Sequence, residues 1–243
     1  MEFPVDSHST KLYNINLFIP IVYYLMIEIV ISMNRVYSTG TTTVAIKCKD
    51  GVVIGADTRV TSGYFIAHKK GKKIFMIKPH IAVTIAGVVA DAQAVIEELK
   101  FHLNYYENMY ARSLSVKSAA NYLSLILFSS RSYPLITEII VAGKDGDGYG
   151  IYKLDPLGSL IKDDYTVSGS GSMIAIGILE AEYKPDIMVE EGVKLAIKAL
   201  VSAMKRDIAS GDDFSIAVIT EEGYKELSIE EKERIMKELA LKT

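Results

Sequence analysis

Residues 41–57 read TTTVAIKCKDGVVIGAD, and the fold class follows from this stretch. Two runs of β-branched and small apolar residues, 42–49 and 52–57, flank Lys49-Asp50-Gly51, a triplet that turns one run back on the other. An antiparallel pair is therefore predicted here. Working outward, strands at 73–77 and 81–86 are joined by Lys78-Pro79-His80. The period then changes. From 88 to 110 the apolar positions Val95, Ile96, Leu99, Leu103, Tyr106 and Tyr110 recur at helical spacing, and 115–129, rich in Ala and Leu, is a second helix. Strands return at 137–143, 149–154 and 164–168, separated by the turn sequences DGDG and DPLG. Helices at 173–183 and 189–209 follow, then a strand pair at 214–220 and 223–227. The last element is an amphipathic helix at 228–239 with Ser228 as its N-cap. Strands and helices come in groups rather than in alternation. That order predicts an α+β fold, antiparallel sheets with helices packed outside them, instead of parallel βαβ units. With no repeat, low-complexity tract or interior linker, residues 41–243 read as one domain behind a leader of residues 1–40.

Composition narrows the function classes. The chain has 243 residues, 49% hydrophobic and 23% charged, enough apolar material for a substantial core. A net charge of −3 and a pI near 5.9 give no electrostatic reason to expect nucleic acid as a partner. Cys48 is the single cysteine, so no internal disulfide or thiolate metal cluster is available, and a reducing, cytoplasmic compartment is expected. Cys48 itself reads as a small buried residue on a strand rather than a nucleophile. The four histidines, His8, His68, His80 and His102, have no ligand-like spacing, so neither a metal nor another cofactor is expected.

The first forty residues have another character. Residues 15–33, INLFIPIVYYLMIEIVISM, are apolar and nearly long enough to cross a bilayer. Pro20 interrupts the run, Glu28 lies within it, and flanking positive charge is sparse, which all weigh against a working span. No small-residue signal cleavage site is present. Two readings are preferred to a membrane anchor: a disposable leader, or translation starting at Met33, which leaves MNRVYSTG ahead of Thr41.

Gly40-Thr41 is where chemistry is expected. A threonine hydroxyl is a weak nucleophile that needs a base beside it. When threonine is the first residue of a chain, its own α-amine, with a pKa of about 7.7–8.0, fills that role without a histidine. Threonine-rich strand starts are common, so the neighbours matter. Asp57 ends the second strand in GADTRV, with Arg59 two residues on and on the same face of an extended chain. Lys73 opens the third strand in KKGKKIF. Gly87 follows an apolar strand in VTIAGVVADAQ, where a backbone N–H is able to face developing negative charge.

With these residues in their order, the chain from about Met33 to its end resembles the β subunits of the proteasome, the archaeal kind above all. The resemblance implies a four-layer αββα sandwich, the N-terminal-nucleophile hydrolase fold. It matches Gly40-Thr41 to the self-cleaved junction and the nucleophile of a threonine endopeptidase. Asp57 and Lys73 match the acidic and basic residues of the catalytic centre, with Arg59 a nearby ion partner. Gly87 matches the oxyanion glycine. Ser170, in SGSGS at 168–172, and Asp207 and Ser210, in KRDIASG at 205–211, match the network around the threonine amine. On this reading Thr41 Oγ forms an acyl-enzyme while its amine, through a water, moves the proton. Lys73 stays cationic, held by Asp57.

The resemblance further implies a substrate pocket lined by Val60, His68, Phe75, Ile85 and Val89, mostly apolar, and hence cleavage after hydrophobic residues. It implies stacked seven-membered rings with α subunits and other β subunits, a regulatory ATPase, and unfolded polypeptides as substrates, with no membrane partner. Two alternatives stay open: a structural β subunit that does not cut, and a two-ring bacterial relative sharing the N-terminal threonine.

Overall fold

The computed structural model describes residues 40–241. Strands β1 (Thr43–Lys47) and β2 (Val52–Asp57) pair antiparallel, Thr43 opposite Ala56 and Lys47 opposite Val52. The turn between them is closed by the Cys48 N–H donating to the Gly51 carbonyl at 2.8 Å. On the free edge of β1 lies β10 (Tyr165–Ser168), and on that of β2 lies β11 (Phe214–Thr220), followed by β12 (Gly223–Glu226). A second five-stranded sheet runs in chain order through β5 (Ile74–Lys78), β6 (Ile81–Gly87), β7 (Thr137–Asp145), β8 (Gly148–Leu154) and β9 (Leu160–Asp163). Every pairing in both sheets is antiparallel.

The two sheets face each other over a thin core of small and β-branched residues, among them Ala45, Val52, Ile54, Ala56, Ala82, Ile140, Ala142 and Ala217. Outside the first sheet pack α3 (Ser172–Glu182), α4 (Val189–Met204) and α5 (Ile229–Glu238), against Val44, Ile46 and Val53. Outside the second pack α1 (Val89–Tyr110) and α2 (Val116–Ser129), against Val83, Ile85, Ile139 and Val141. The result is a helix–sheet–sheet–helix sandwich of the α+β class. It explains the opening stretch. β2 is covered on both faces, so all six of its residues are buried, and up to Asp57 its sequence is a continuous apolar run rather than a strict alternation.

Most expected elements appear within a residue or two of their predicted bounds. Ser228 caps α5 in a reciprocal capping box with Glu231, its Oγ accepting the Glu231 N–H at 3.2 Å. Three strands were not anticipated: β3 (Val60–Ser62), β4 (Phe65–His68) and β9. β3 and β4 form a two-stranded hairpin, and β4 is exposed along its whole length, so no burial pattern marks it. The helix expected over 189–209 ends at Met204, and the rest of that stretch is a loop. Residues 1–39, with the apolar run and Met33, lie outside the described residues. Among the described residues no helix is long and apolar enough to cross a membrane, and no group of three or more His, Cys, Asp or Glu is placed to hold a metal ion.

Candidate active site

Thr41 sits just ahead of β1, 2% exposed, where the edge of the first sheet meets the loops after β10 and α4. The glycines of SGSGS make that approach possible. A Cβ on Gly169 would lie 2.2 Å from the Thr41 carbonyl oxygen, and one on Gly171 1.9 Å from Thr42 Oγ1. Strand β10 is fixed beside the site by the cross-strand pair Thr43–Ser168, whose hydroxyls are 2.9 Å apart.

A hydrogen-bonded chain surrounds the threonine. Thr41 Oγ1 donates to the Gly40 carbonyl at 2.7 Å, and the Thr41 N–H donates to Ser170 Oγ at 3.1 Å. Ser170 Oγ and Ser210 Oγ each donate to Asp207 Oδ2 at 2.5 Å. Each serine has one proton, so Ser210 Oγ accepts from Thr42 Oγ1, 2.7 Å away. Asp207 thus gathers two hydroxyls, and its other oxygen takes the Ala209 N–H at 3.2 Å. The three expected residues Ser170, Asp207 and Ser210 converge on one carboxylate. Thr42, the inner link of this chain, was not anticipated. Its only sequence signal is a polar residue at a position that the sheet buries.

Asp57 is wholly buried at the end of β2 and fully satisfied. Its Oδ1 accepts the Thr42 N–H at 2.9 Å and Lys73 Nζ at 2.8 Å. Its Oδ2 accepts the Gly211 N–H at 3.0 Å and the Arg59 N–H at 3.1 Å. Burial raises the Asp57 carboxyl above, and lowers the Lys73 ammonium below, their ordinary values, while their mutual attraction opposes both shifts. With three further N–H donors on the carboxylate, the pair is an ion pair at neutral pH. Arg59, expected as a nearby ion partner, makes its ion pair with Asp212. It is its backbone N–H that reaches Asp57, while its guanidinium turns away to Asp212 Oδ2 at 2.8 Å and the Ile208 carbonyl at 2.9 Å. The guanidinium holds the Asp212 carboxyl below the usual range. Asp212 was not singled out in the sequence.

Gly87 ends β6 opposite Thr137 with φ +109°, a conformation that favours glycine. Thr41, Lys73 and Gly87 all border one cavity of about 370 Å³. Val60, His68, Phe75, Ile85 and Val89 line the same cavity, and Lys70 and Lys72 stand exposed at it. Among the described residues, the two other histidines lie away from this cavity. His80 Nε2 lies 3.3 Å from the Leu114 carbonyl, and His102 stacks on Tyr122. Cys48 is buried, its thiol pushed up to about 12 by burial and then by Asp50.

Two antiparallel sheets between helical layers give the molecule the N-terminal-nucleophile hydrolase fold, with Thr41 at a strand start and the buried Lys73–Asp57 pair bordering the same region. A family profile described as "Proteasome subunit" matches residues 37–219. The chain is 47% identical over 199 residues to "Proteasome subunit beta" of Methanocaldococcus vulcanius, covering 81% of this chain and 89% of that one. It is 45% identical over 201 residues to "Proteasome subunit beta" of Methanothermobacter thermautotrophicus, covering 82% and 96%. It is 44% identical over 194 residues to "Proteasome subunit beta 2" of Hyperthermus butylicus, covering 80% and 91%. The chain belongs to the proteasome subunit family, as a β subunit of the archaeal type.

Proposed function

We propose that this β subunit is catalytic: a threonine endopeptidase that removes its own leader, residues 1–40, and then degrades unfolded polypeptides inside the core particle. The observation that carries this reading is the position of the Thr41 hydroxyl, 2.7 Å from the carbonyl oxygen of the peptide it would cut. In the precursor Thr41 Oγ adds to the Gly40 carbonyl carbon, and the Gly40–Thr41 C–N bond breaks as the hydroxyl proton passes to the Thr41 nitrogen. Water then hydrolyses the resulting ester, leaving a Gly40 carboxylic acid and a free Thr41 amine and hydroxyl. The freed amine lies beside Ser170 and becomes the base for later turnovers. On a substrate, Thr41 Oγ attacks the peptide carbonyl, the amine returns the proton to the leaving nitrogen, and water releases the acyl group.

The remaining residues support that chemistry. Lys73, kept cationic by Asp57, stabilises negative charge at the threonine oxygen. Asp207, Ser170 and Ser210 orient the amine and its water. The Gly87 backbone N–H meets the tetrahedral oxyanion, an interaction worth about 3–4 kcal/mol in other acyl-transfer sites. No step calls on a metal or other cofactor. The apolar walls formed by Val60, Phe75, Ile85 and Val89 suit a hydrophobic side chain before the cut. We place the particle in the cytoplasm, with α subunits closing the β rings and an ATPase feeding unfolded chains.

The test is the mass of the assembled subunit together with its peptidase activity. The wild-type chain is expected to begin at Thr41 and to cleave fluorogenic peptides ending in Tyr faster than those ending in Arg or Glu. Thr41→Ala is expected to keep its leader and to cleave none of them. Activity that survives Thr41→Ala would assign this chain to a structural role in a mixed β ring.

A further inference from the structure

Thr61, on β3, touches the residue ahead of the cut, although neither its sequence context nor the cavity lining singles it out. It is 4% exposed and pairs across the hairpin with Ile66. Its Oγ1 accepts the Gly40 N–H at 3.0 Å in a buried bond. On the opposite side Ala209 closes in: a Cβ on residue 40 would come within 1.7 Å of the Ala209 Cβ. Gly40 is therefore gripped at its N–H by Thr61, at its carbonyl by the Thr41 hydroxyl and at its α-carbon by Ala209.

This grip answers a problem that glycine itself creates. Residue 40 must lack a Cβ to fit against Ala209, and a residue without a Cβ has the least restricted backbone of any. A freely rotating peptide seldom presents its carbonyl carbon to the neighbouring hydroxyl in an orientation that allows attack. We propose that Thr61 is a positioning residue for leader removal. Its hydroxyl holds the amide on the leader side of Gly40 and, with the α-carbon packed on Ala209 and the carbonyl held by Thr41, restricts the two Gly40 rotations that orient the scissile peptide, while taking no part in the bond or proton changes. The proposal rests on the reading of Thr41 as the self-cleaving nucleophile. Because Gly40 departs with the leader, the Thr61–Gly40 bond exists only in the precursor. Maturation and turnover should therefore separate.

The experiment follows leader removal by intact mass in full-length chains assembled with their ring partners, comparing wild type, Thr61→Val and Thr61→Ser. Valine keeps the β-branched shape that β3 accommodates but removes the acceptor. Leader removal by Thr61→Val is expected to slow about tenfold, the effect of leaving one buried N–H unpaired. Thr61→Ser, which restores the hydroxyl, should recover most of the rate. Particles made from chains that begin at Thr41 and carry Thr61→Val should lose far less of their peptide turnover. If Thr61→Val does not assemble, Thr61→Ser against Thr61→Ala carries the same comparison, since those two differ by the hydroxyl alone. Equal processing of wild type and Thr61→Val overturns the proposal. So does equal slowing by Val and Ser, or a parallel fall in processing and turnover, since both indicate a packing role. A wild-type chain that never loses its leader overturns the underlying reading of Thr41 as well.

Discussion

Lys73 and Asp57 carry opposite charges in a place where neither meets water, with 6% and 0% of their side chains exposed. Removing charge from one side of such a pair costs far more than the pair contributes, because the remaining ion keeps its desolvation penalty without its partner. Lys73→Met is therefore expected to destabilise the subunit by about 3–5 kcal/mol as well as to abolish peptide hydrolysis. Chemical denaturation and a peptide assay on the same preparation check both. An inactive variant of unchanged stability would mean that Asp57 is already neutral and that the two residues are not an ion pair in the resting protein. At this scale the sequence was unevenly legible. Asp57, Lys73, Ser170, Asp207 and Ser210 could be singled out because each stands in a short motif whose order matches a known family, and the fold gathers them into two hydrogen-bonded groups. Thr42 and Thr61 could not be singled out. Their partners, Ser210 and Gly40, lie 168 and 21 residues away, and nothing local to either threonine indicates the contact.

At the scale of elements, the site depends on a loop that local periodicity reads as helix. The apolar pattern of α4 continues into Ile208 and Ala209, yet the helix stops at Met204 and the next residues turn to present Asp207, Ser210 and Gly211. Tertiary contacts override propensity here. Asp57 takes the Gly211 N–H, and Arg59 spans the loop, bonding the Ile208 carbonyl and Asp212, with Gly211 packed against its guanidinium. Arg59 is thus a strut across this loop, with Asp212 as its ion-pair partner. Arg59→Ala is expected to lower kcat for peptide hydrolysis by about 10- to 100-fold through displacement of Asp207 and Ser210, with a smaller change in KM. Stability should fall by only about 1 kcal/mol, since the ion pair it loses is partly solvated. Arg59→Lys should not rescue kcat, because an ammonium cannot serve Asp212 and the Ile208 carbonyl with the same planar fork. Steady-state kinetics beside thermal melts separate these effects, and an unchanged kcat would show that the loop holds itself. The β3–β4 hairpin escaped the sequence for the opposite reason. Its exposed residues carry no burial period, so only the folded chain reveals that it delivers Val60 and His68 to the cavity.

Across the whole molecule, the sandwich was legible because grouped strands with covered faces leave long apolar runs, and β2 with α4 is the clearest instance. The same packing makes a prediction about Cys48. Its thiol lies in the core between the first sheet and the helices outside it, 3% exposed, so close to α4 that a Cβ on Gly192 would lie 2.6 Å from Cys48 Sγ. The thiolate is the reactive form, and burial pushes this thiol from 9.0 up to about 12. At pH 8 the folded subunit is expected to resist a thiol-alkylating reagent, with modification rising along the denaturant unfolding curve. The sign of the pH dependence follows. Above the ordinary thiol value the unfolded chain loses the Cys48 proton while the folded chain retains it, so the unfolded state binds fewer protons. This group therefore contributes a stability that is intact below pH 9.0 and declines as pH rises toward about 12. Cys48→Ala should remove that contribution to the slope while opening a small cavity against α4. Alkylation of the folded protein at the rate of a free thiol would mean that sheet and helices part without global unfolding, and that the sandwich opens layer by layer.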